Sequence, residues 1–490
     1  MKNYILGRVA RCILAIVAVV TIVIIMLYTL IPREQIFKLD TSIQKMKGDV
    51  RTTYVNSKLD ELGYLNFVTQ AQMCKDSDNP NMCKVNGSKE FLEIAEKYEN
   101  DGYTINYFES GQAYAIHEFT VFELVGHFYG QFFQIDHLNK VQDEANPELQ
   151  RKYYFGSDNA GNFGIMCSGC EYKYQLYFNS SFPFVHQNFL KFKFGTSYPT
   201  KVGVDTFDLI MQGQGAQKQI EQTFPTGVTQ NSALLQSSCR YKSSSTLDHM
   251  DTAKFSDNYA NCSSNYESPS MVSTSLLFGL LSLVFAYLIS IPAGVYMARK
   301  KGKLGDKIGI AYINFLSSVP SLAFIFFMRA IGSGLSLPDK FPTLGFADVR
   351  SYIMPILVLT LLNTTSLMMW TRRYMIDQAN SDYVKFAKAK GLSESEIFNR
   401  HILKNAIIPI VNGIPMSIVA CLSGSVITES VFAIPGMGKM LPDAINQLNN
   451  TMVITLTFIF TSFSVFAVLA GDLLMTVVDP RIKLSDKGGK

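Results

Sequence analysis

The run CSGC puts Cys167 and Cys170 at the spacing of a redox pair or of half a zinc site. Zinc would need a second pair at ribbon spacing or nearby histidines, and neither is present. A redox role would need a thioredoxin-like βαβ context, which the flanking residues lack. Cys74, Cys83, Cys239 and Cys262 fall in the same 32–270 stretch, and an even set of six suits disulfides in an oxidising compartment. Six cysteines permit fifteen connectivities. Pairing of neighbours, Cys74–Cys83, Cys167–Cys170 and Cys239–Cys262, is the expectation. Cys12 and Cys421 lie in apolar runs and read as packing residues. The run 433–440, AIPGMGKM, has part of the rhythm of a phosphate loop. It lacks Gly at Ala433 and Ser or Thr after Lys439, so it reads as a turn-rich loop. No HExxH, GxSxG or Walker motif is present. His117, His127, His137, His186, His249 and His401 are scattered and read as structural. Asn86, Asn179 and Asn261 begin triplets of the glycosylation type. The expectation is a chain with no catalytic residue, no metal and no cofactor of its own.

The elements around these residues are mostly membrane spans. The 490 residues are 48% apolar and 17% charged, and the apolar residues cluster. Six runs approach the ~20 residues that cross a bilayer: 12–31, 273–297, 308–331, 352–370, 406–428 and 452–477. The first is too long for a signal-peptide core and is followed by no small-x-small cleavage site, so it reads as a retained span. Basic residues border alternate ends. Lys2, Arg8 and Arg11 precede the first span, five Lys or Arg fill 298–307, seven fill 371–405, and four follow Pro480. The opposite short loops hold Lys340 and Arg350, and Lys439. By the positive-inside rule both termini are cytoplasmic. Each basic cluster borders a span, so membrane lipid is the expected neighbour and nucleic acid is not.

Residues 32–270 form one external insertion, long enough for its own core, with 21 Lys and Arg against 28 Asp and Glu. Helical periodicity marks 40–101. The Tyr- and Phe-rich 102–224 reads as mixed helix and strand. In the spans, Gly279, Ser282, Ser290 and Gly294 allow close helix approach, and Pro292 is placed to kink the second span. Ser317, Ser318, Pro320 and Ser321 in the third suit packing or a polar path. The fifth is the most interrupted, with hinge candidates Pro409, Gly413 and Pro415, then Ser417, Ser423 and Gly424. Asp472 is an acid well inside an apolar run, placed to pair or to face water.

Between the fourth and fifth spans lies 380–409, NSDYVKFAKAKGLSESEIFNRHILKNAIIP. Asn380 or Ser381 caps a short helix over 382–390. Tyr383, Phe386, Ala387 and Lys390 share one face of it, and Gly391 ends it in the left-handed conformation. Leu392 leads to Ser393 and Glu396, a capping box for a second helix through Ile397, His401, Lys404 and Ile408.

With these residues placed, the segment resembles the cytoplasmic "EAA" loop of binding-protein-dependent ABC importers, in its peptide-permease version. Ala387, Gly391 and Asn405-Ala406-Ile407-Ile408-Pro409 carry the likeness, although Lys385-Phe386 stands where that motif begins Glu-Ala. The run 429–438, ESVFAIPGMG, is similar to the family's external ETVF…PGxG loop, and VDPRIKL to its C-terminus. FLKFKFGTSYPTKVGVDTFDLI (189–210) resembles the segment before the second span of peptide-permease subunits, and a large external domain at this place, with FPFVHQNF, GQGAQKQ, FPTG and YESPSM, resembles the Ami-type oligopeptide permeases of streptococci and relatives.

The resemblance implies a polytopic α-helical membrane protein of the type I ABC importer permease fold. It would have six transmembrane helices, with an extracellular mixed α/β domain between the first and second. The boundaries would be 1–31 for the N-terminal stub and first span, 32–270 for the extracellular domain, 271–478 for the permease core with its coupling loop at 380–405, and 479–490 for a cytoplasmic tail. The implied role is the permease subunit of an ATP-driven oligopeptide importer in a bacterial plasma membrane. Its implied partners are a second homologous permease, two ATPase subunits holding ATP and Mg, a peptide-binding lipoprotein and the oligopeptide. The external domain would dock the lipoprotein or simply cap the mouth, and exposed aromatics among 103–129 would favour docking. Dipeptide, nickel or sugar import on the same core is an alternative. A membrane-anchored receptor would need no ATPase dock, and an ion channel would need a filter repeat that is not visible.

Overall fold

The computed structural model describes residues 2–77, 79–157, 162–178, 184–234, 239–424 and 426–478, with side chains at all of these but 2–4, 76 and 422–424. The Asn179 triplet, the start of FPFVHQNF, the Ser423 side chain and the 479–490 tail lie outside the described residues.

Lys2–Leu30 is one uninterrupted helix with apolar side chains exposed along it, as for a helix solvated by lipid. Met271–Arg299, Arg350–Ala379, Ile414–Val431 and Asn450–Val478 are also long and apolar enough to cross a membrane. The third expected span, 308–331, is not one straight run. Leu304–Ser318 and Ser321–Gly334 are separate helices bent 105° from each other, and with this pair counted as one crossing the described residues hold six. Pro320 causes the break: it offers no N–H and drives Val319 extended (φ −78°, ψ 127°). Pro292, by contrast, sits inside an unbroken helix.

Met271–Arg299 and Arg350–Ala379 pack along each other at small residues. Ser290 Oγ donates to the Thr364 carbonyl (3.3 Å) and Thr360 Oγ1 to that of Ser282 (3.3 Å). A Cβ on Gly294 would lie 2.7 Å from Thr371 Cβ, so only glycine allows this crossing. Arg350–Ala379 continues nine residues beyond the expected 352–370 run. That extension carries Arg372 to Asp306 in a two-bond ion pair (2.6 and 2.9 Å) with Asp306 buried.

The external domain is mixed α/β, with every strand pair antiparallel. A three-stranded sheet (Leu65–Thr69, Ala113–Glu118, Thr104–Tyr107, in spatial order) packs with helices Gly48–Glu61 and Lys89–Asn100. A four-stranded meander follows over Lys152–Ser157, Phe163–Ser168, Tyr174–Phe178 and Val185–Gln187. Three disulfides form between sequence neighbours: Cys74–Cys83, Cys167–Cys170 and Cys239–Cys262. Both cysteines of CSGC are fully buried, an environment for a staple rather than an exchangeable thiol.

The domain is fixed to the ends of the first and last long helices. Tyr28 donates to the Leu62 carbonyl (2.9 Å), Asn450 Nδ2 to the Tyr64 hydroxyl (2.7 Å) and Asn449 Nδ2 to Ser197 Oγ (2.8 Å). The Thr206 and Thr455 hydroxyls meet at 2.7 Å. Beneath them Ile16, Val20, Ile24 and Ile454 share one apolar cluster with Leu124, Phe132 and Phe194 of the domain.

Candidate functional site

The 380–405 loop folds as two short helices about a glycine. Ser381 occupies the N-cap of Asp382–Ala389, yet its hydroxyl turns back to the Asp377 carbonyl (3.3 Å) and caps nothing ahead. The helix ends at Gly391 (φ +78°), with Gly391 N–H on the Lys388 carbonyl and Leu392 N–H on that of Ala387 (2.9 and 3.3 Å). These two bonds make a complete Schellman stop. Ser393 and Glu396 form the capping box: Glu396 N–H donates to Ser393 Oγ, and the Ser393 N–H and hydroxyl donate to the Glu396 carboxylate. The hydrogen bond from the Ser393 side chain holds that carboxyl below the usual range.

The inward face differs from the expected Tyr383–Phe386–Ala387–Lys390 stripe. Val384 and Ala387 are buried and Tyr383 half-buried, whereas Phe386 is 70% exposed and Lys390 exposed. Val384 and Ala387 pack on Met375, Ile397, Ile402 and Ala406, with Val295 and Ala298 of Met271–Arg299 beside them. Tyr383 donates to Gln378 (2.7 Å). The short helix is therefore seated against the ends of three membrane helices. Its other side presents Phe386, Lys390 and Leu392 (37% exposed) to solvent.

The second helix leaves as a wider π-type turn over Ile397–Leu403 and continues as Lys404–Asn412. Pro409 lies within it, Gly413 interrupts it for one residue, and Ile414–Gly424 resumes with Pro415 buried. Asn412 abuts the last helix so closely that a Cβ on Gly471 would lie 3.0 Å from its carbonyl oxygen. Asp472, one residue on, pairs with Arg8 at 2.8 Å.

At the far end of the same span sits a group that sequence reasoning passed over as part of a loop motif. Glu429 is 1% exposed. Its carboxylate accepts from Ser275 Oγ (2.6 Å) and Lys439 N–H (2.9 Å), and Ser275 Oγ in turn accepts from Met437 N–H (2.7 Å). Gly436 lies against that carboxylate with no room for a Cβ. The PGMG turn is thus latched to the domain-side end of Met271–Arg299. The signal available was an acid at the edge of an apolar run. Arg329, likewise inside an expected span, donates to the Val431 carbonyl (3.0 Å) and pairs with Asp339 (2.8 Å).

Above this end lies a chamber of 1870 Å³ between the external domain and the start of Met271–Arg299. Tyr172, Lys191, Asp208, Arg240 and Leu277 are among its walls. Lys191 Nζ and the Arg240 guanidinium approach the Tyr172 ring at 4.8 and 5.0 Å, and Arg240 also meets Asp208 (3.4 Å). Burial moves the Lys191 ammonium pKa down from its usual value. Among the described residues no three His, Cys, Asp or Glu side chains are arranged to hold a metal. Of the aromatics in 103–129, Tyr107 and Phe122 are exposed.

A bundle of long apolar helices, one of them broken, carries a folded domain at one end and an exposed two-helix loop at the other. That arrangement is that of a polytopic membrane protein. The family model described as "Binding-protein-dependent transport system inner membrane component" matches residues 290–484. The oligopeptide transport system permease protein AmiC of Streptococcus pneumoniae is 44% identical over 499 aligned positions, covering 100% of both chains. The dipeptide transport system permease protein DppB of Lactococcus lactis subsp. cremoris is 32% identical over 212, covering 43% of this chain and 69% of that one. Among solved structures, the inward-facing MetNI methionine ABC transporter is 17% identical, covers 43% of this chain and 94% of that one, and has a TM-score of 0.35. The chain belongs to the binding-protein-dependent transport system inner membrane component family, the permeases of ABC importers.

Proposed function

We propose that this chain is the permease subunit of an oligopeptide importer in a bacterial plasma membrane, with both termini cytoplasmic. It would supply half of the translocation path and take its drive from separate ATPase subunits that hold ATP and Mg. The observation that carries this reading is the 382–396 loop. One side is locked to three membrane helices, and the other leaves Phe386 exposed among lysines. An exposed aromatic ringed by charge is the anatomy of a protein interface core. Force applied there reaches Met271–Arg299, Arg350–Ala379 and Lys404–Asn412 together, which suits a switch between two packings.

The partner permease is supported by the broken third span. Asn314, Ser317 and Ser321 are exposed at that break, and lipid does not satisfy their side-chain polar groups. A second subunit, or the aqueous path between two, does. The oligopeptide cargo is supported by the similarity to AmiC and by a chamber larger than the ~300–1,000 Å³ of a small-ligand pocket. Its walls carry both charge signs, suited to a zwitterionic chain delivered by a binding lipoprotein.

Copurification from membranes, followed by ATP hydrolysis with and without peptide, tests the reading. ATPase subunits should come down with the chain, and peptide plus binding protein should stimulate them. Recovery of the chain without any nucleotide hydrolase overturns it.

A further inference from the structure

The helix Val121–Phe132 belongs to the external domain, yet it lies alongside the first membrane helix rather than above it. The Tyr129 hydroxyl donates to the Val17 carbonyl (3.1 Å) and meets Thr21 Oγ1 (2.9 Å). Thr21 is thirteen residues from Arg8, whose pair with Asp472 marks the end remote from the domain. At 1.5 Å per residue that is about 20 Å, short of the ~30 Å apolar thickness of a bilayer. Tyr129 therefore sits at the depth of the hydrocarbon, in the half nearer the domain.

The helix has three sides. Leu124, Val125, Phe128, Tyr129 and Phe132 pack in the cluster around Val20 and Ile24. Glu123, His127 and Gln131 follow one another at four-residue spacing, with His127 and Gln131 on the chamber wall. Phe122, Gly126 and Gly130 make the third side, exposed at four-residue spacing and without charge, and Phe133 follows it in extended backbone just past the helix end. Phe122 is 89% and Phe133 59% exposed. This apolar side continues a surface that already meets lipid, since Leu14 and Ile22 of the first helix are 72% and 56% exposed.

We infer that Val121–Phe132 is an interfacial helix of the external domain, sunk into the outer leaflet with Phe122 and the adjoining Phe133 against acyl chains. Its polar side then looks into the domain and its apolar side into lipid, the disposition of a monotopic membrane helix. Phe122 and Phe133 are thereby assigned to the bilayer and not to a docking protein. The domain gains a third fixed point, beyond its attachments at Tyr28 and Asn450.

The test is photocrosslinking in intact cells with the full chain and its native partners. p-Benzoylphenylalanine replaces Phe122 or Phe133, with Leu14 as the lipid-facing reference and Phe155, on the four-stranded sheet, as the external one. Phe122 is exposed, so its replacement leaves packing intact; Phe133 also meets the rings of Phe132 and Phe192 (4.7 and 5.6 Å), so its variant is read alongside a melting curve. Phospholipid adducts at 122 and 133, in yields comparable with Leu14 and absent at 155, are expected. Adducts to another polypeptide at 122, or none there while Leu14 gives lipid, overturn the inference. Neither outcome bears on ATPase copurification.

Discussion

Gly391 and Phe386 show how far single residues decide the coupling loop. Gly391 at φ +78° has open space where a Cβ would go, so Gly391→Ala meets only backbone strain of about 1 kcal/mol. The chain should still insert and assemble, while peptide-stimulated ATP hydrolysis falls several-fold because the Schellman stop is loosened. Unchanged stimulation counts against a role for the hinge. Phe386→Ala removes a side chain that touches little of its own protein. Its thermal stability should stay within about 0.5 kcal/mol of wild type, while ATPase subunits are lost on copurification. The Ser393–Glu396 box and the glycine stop were legible because their partners lie within five residues, whereas the expected Ser381 cap does not form. The seated face was not, since periodicity reveals a stripe but not which side an absent partner covers. Glu429 was harder still. Its partner Ser275 lies 154 residues away, and nothing local announces the pairing. Gly436→Ala should drive a methyl into that carboxylate and cost about 1–3 kcal/mol. Faster proteolysis of the 429–438 turn would report it, with Gly438→Ala as the comparison.

At the level of elements, two polar devices hold helices in register. Asp306 and Arg372 tie the start of Leu304–Ser318 to the end of Arg350–Ala379. Arg372→Met leaves a buried carboxylate without its partner and should cost about 3–5 kcal/mol. The paired change Arg372→Met with Asp306→Leu should recover most of it, read as detergent-solubilised melting temperature. In the external domain, Asp40 receives the hydroxyls of Tyr198 and Tyr54 (2.7 and 2.8 Å) and the Ser42 N–H (2.8 Å). Burial pushes its pKa up, but these hydrogen bonds outweigh it and the carboxyl stands below its usual value. A depressed folded pKa gives stability that is present above the unfolded value near 4 and lost as pH falls through the folded one. The domain should therefore melt earlier between pH 5 and pH 3, and Asp40→Asn should flatten that slope. The disulfides and most spans were readable because each rests on local composition. The bend at Pro320 was not: a proline among serines reads equally as packing, path or break until the next helix has a direction.

For the whole molecule, the sequence separates membrane from external domain without difficulty, because apolar clustering and basic borders are coarse signals. It does not reveal that the two are one mechanical body. That follows from Tyr64, Ser197 and Thr206 meeting Asn450, Asn449 and Thr455, contacts about 250 to 390 residues apart in the chain. Cys74→Ser with Cys83→Ser should lower domain stability by about 2–4 kcal/mol. Because the domain is fixed to the last long helix, the loss should also slow peptide uptake rather than merely unravel an appendage. A melting curve paired with an uptake rate separates the two effects.

The notch at Pro320 bears on how the cell keeps count of this protein. If the proposed second subunit covers that break, a copy made alone leaves Asn314, Ser317 and Ser321 exposed there, polar groups that lipid does not satisfy and that quality-control proteases in the membrane are suited to find. Surplus chains should then be short-lived, and the stoichiometry of the transporter would be set by degradation as much as by synthesis.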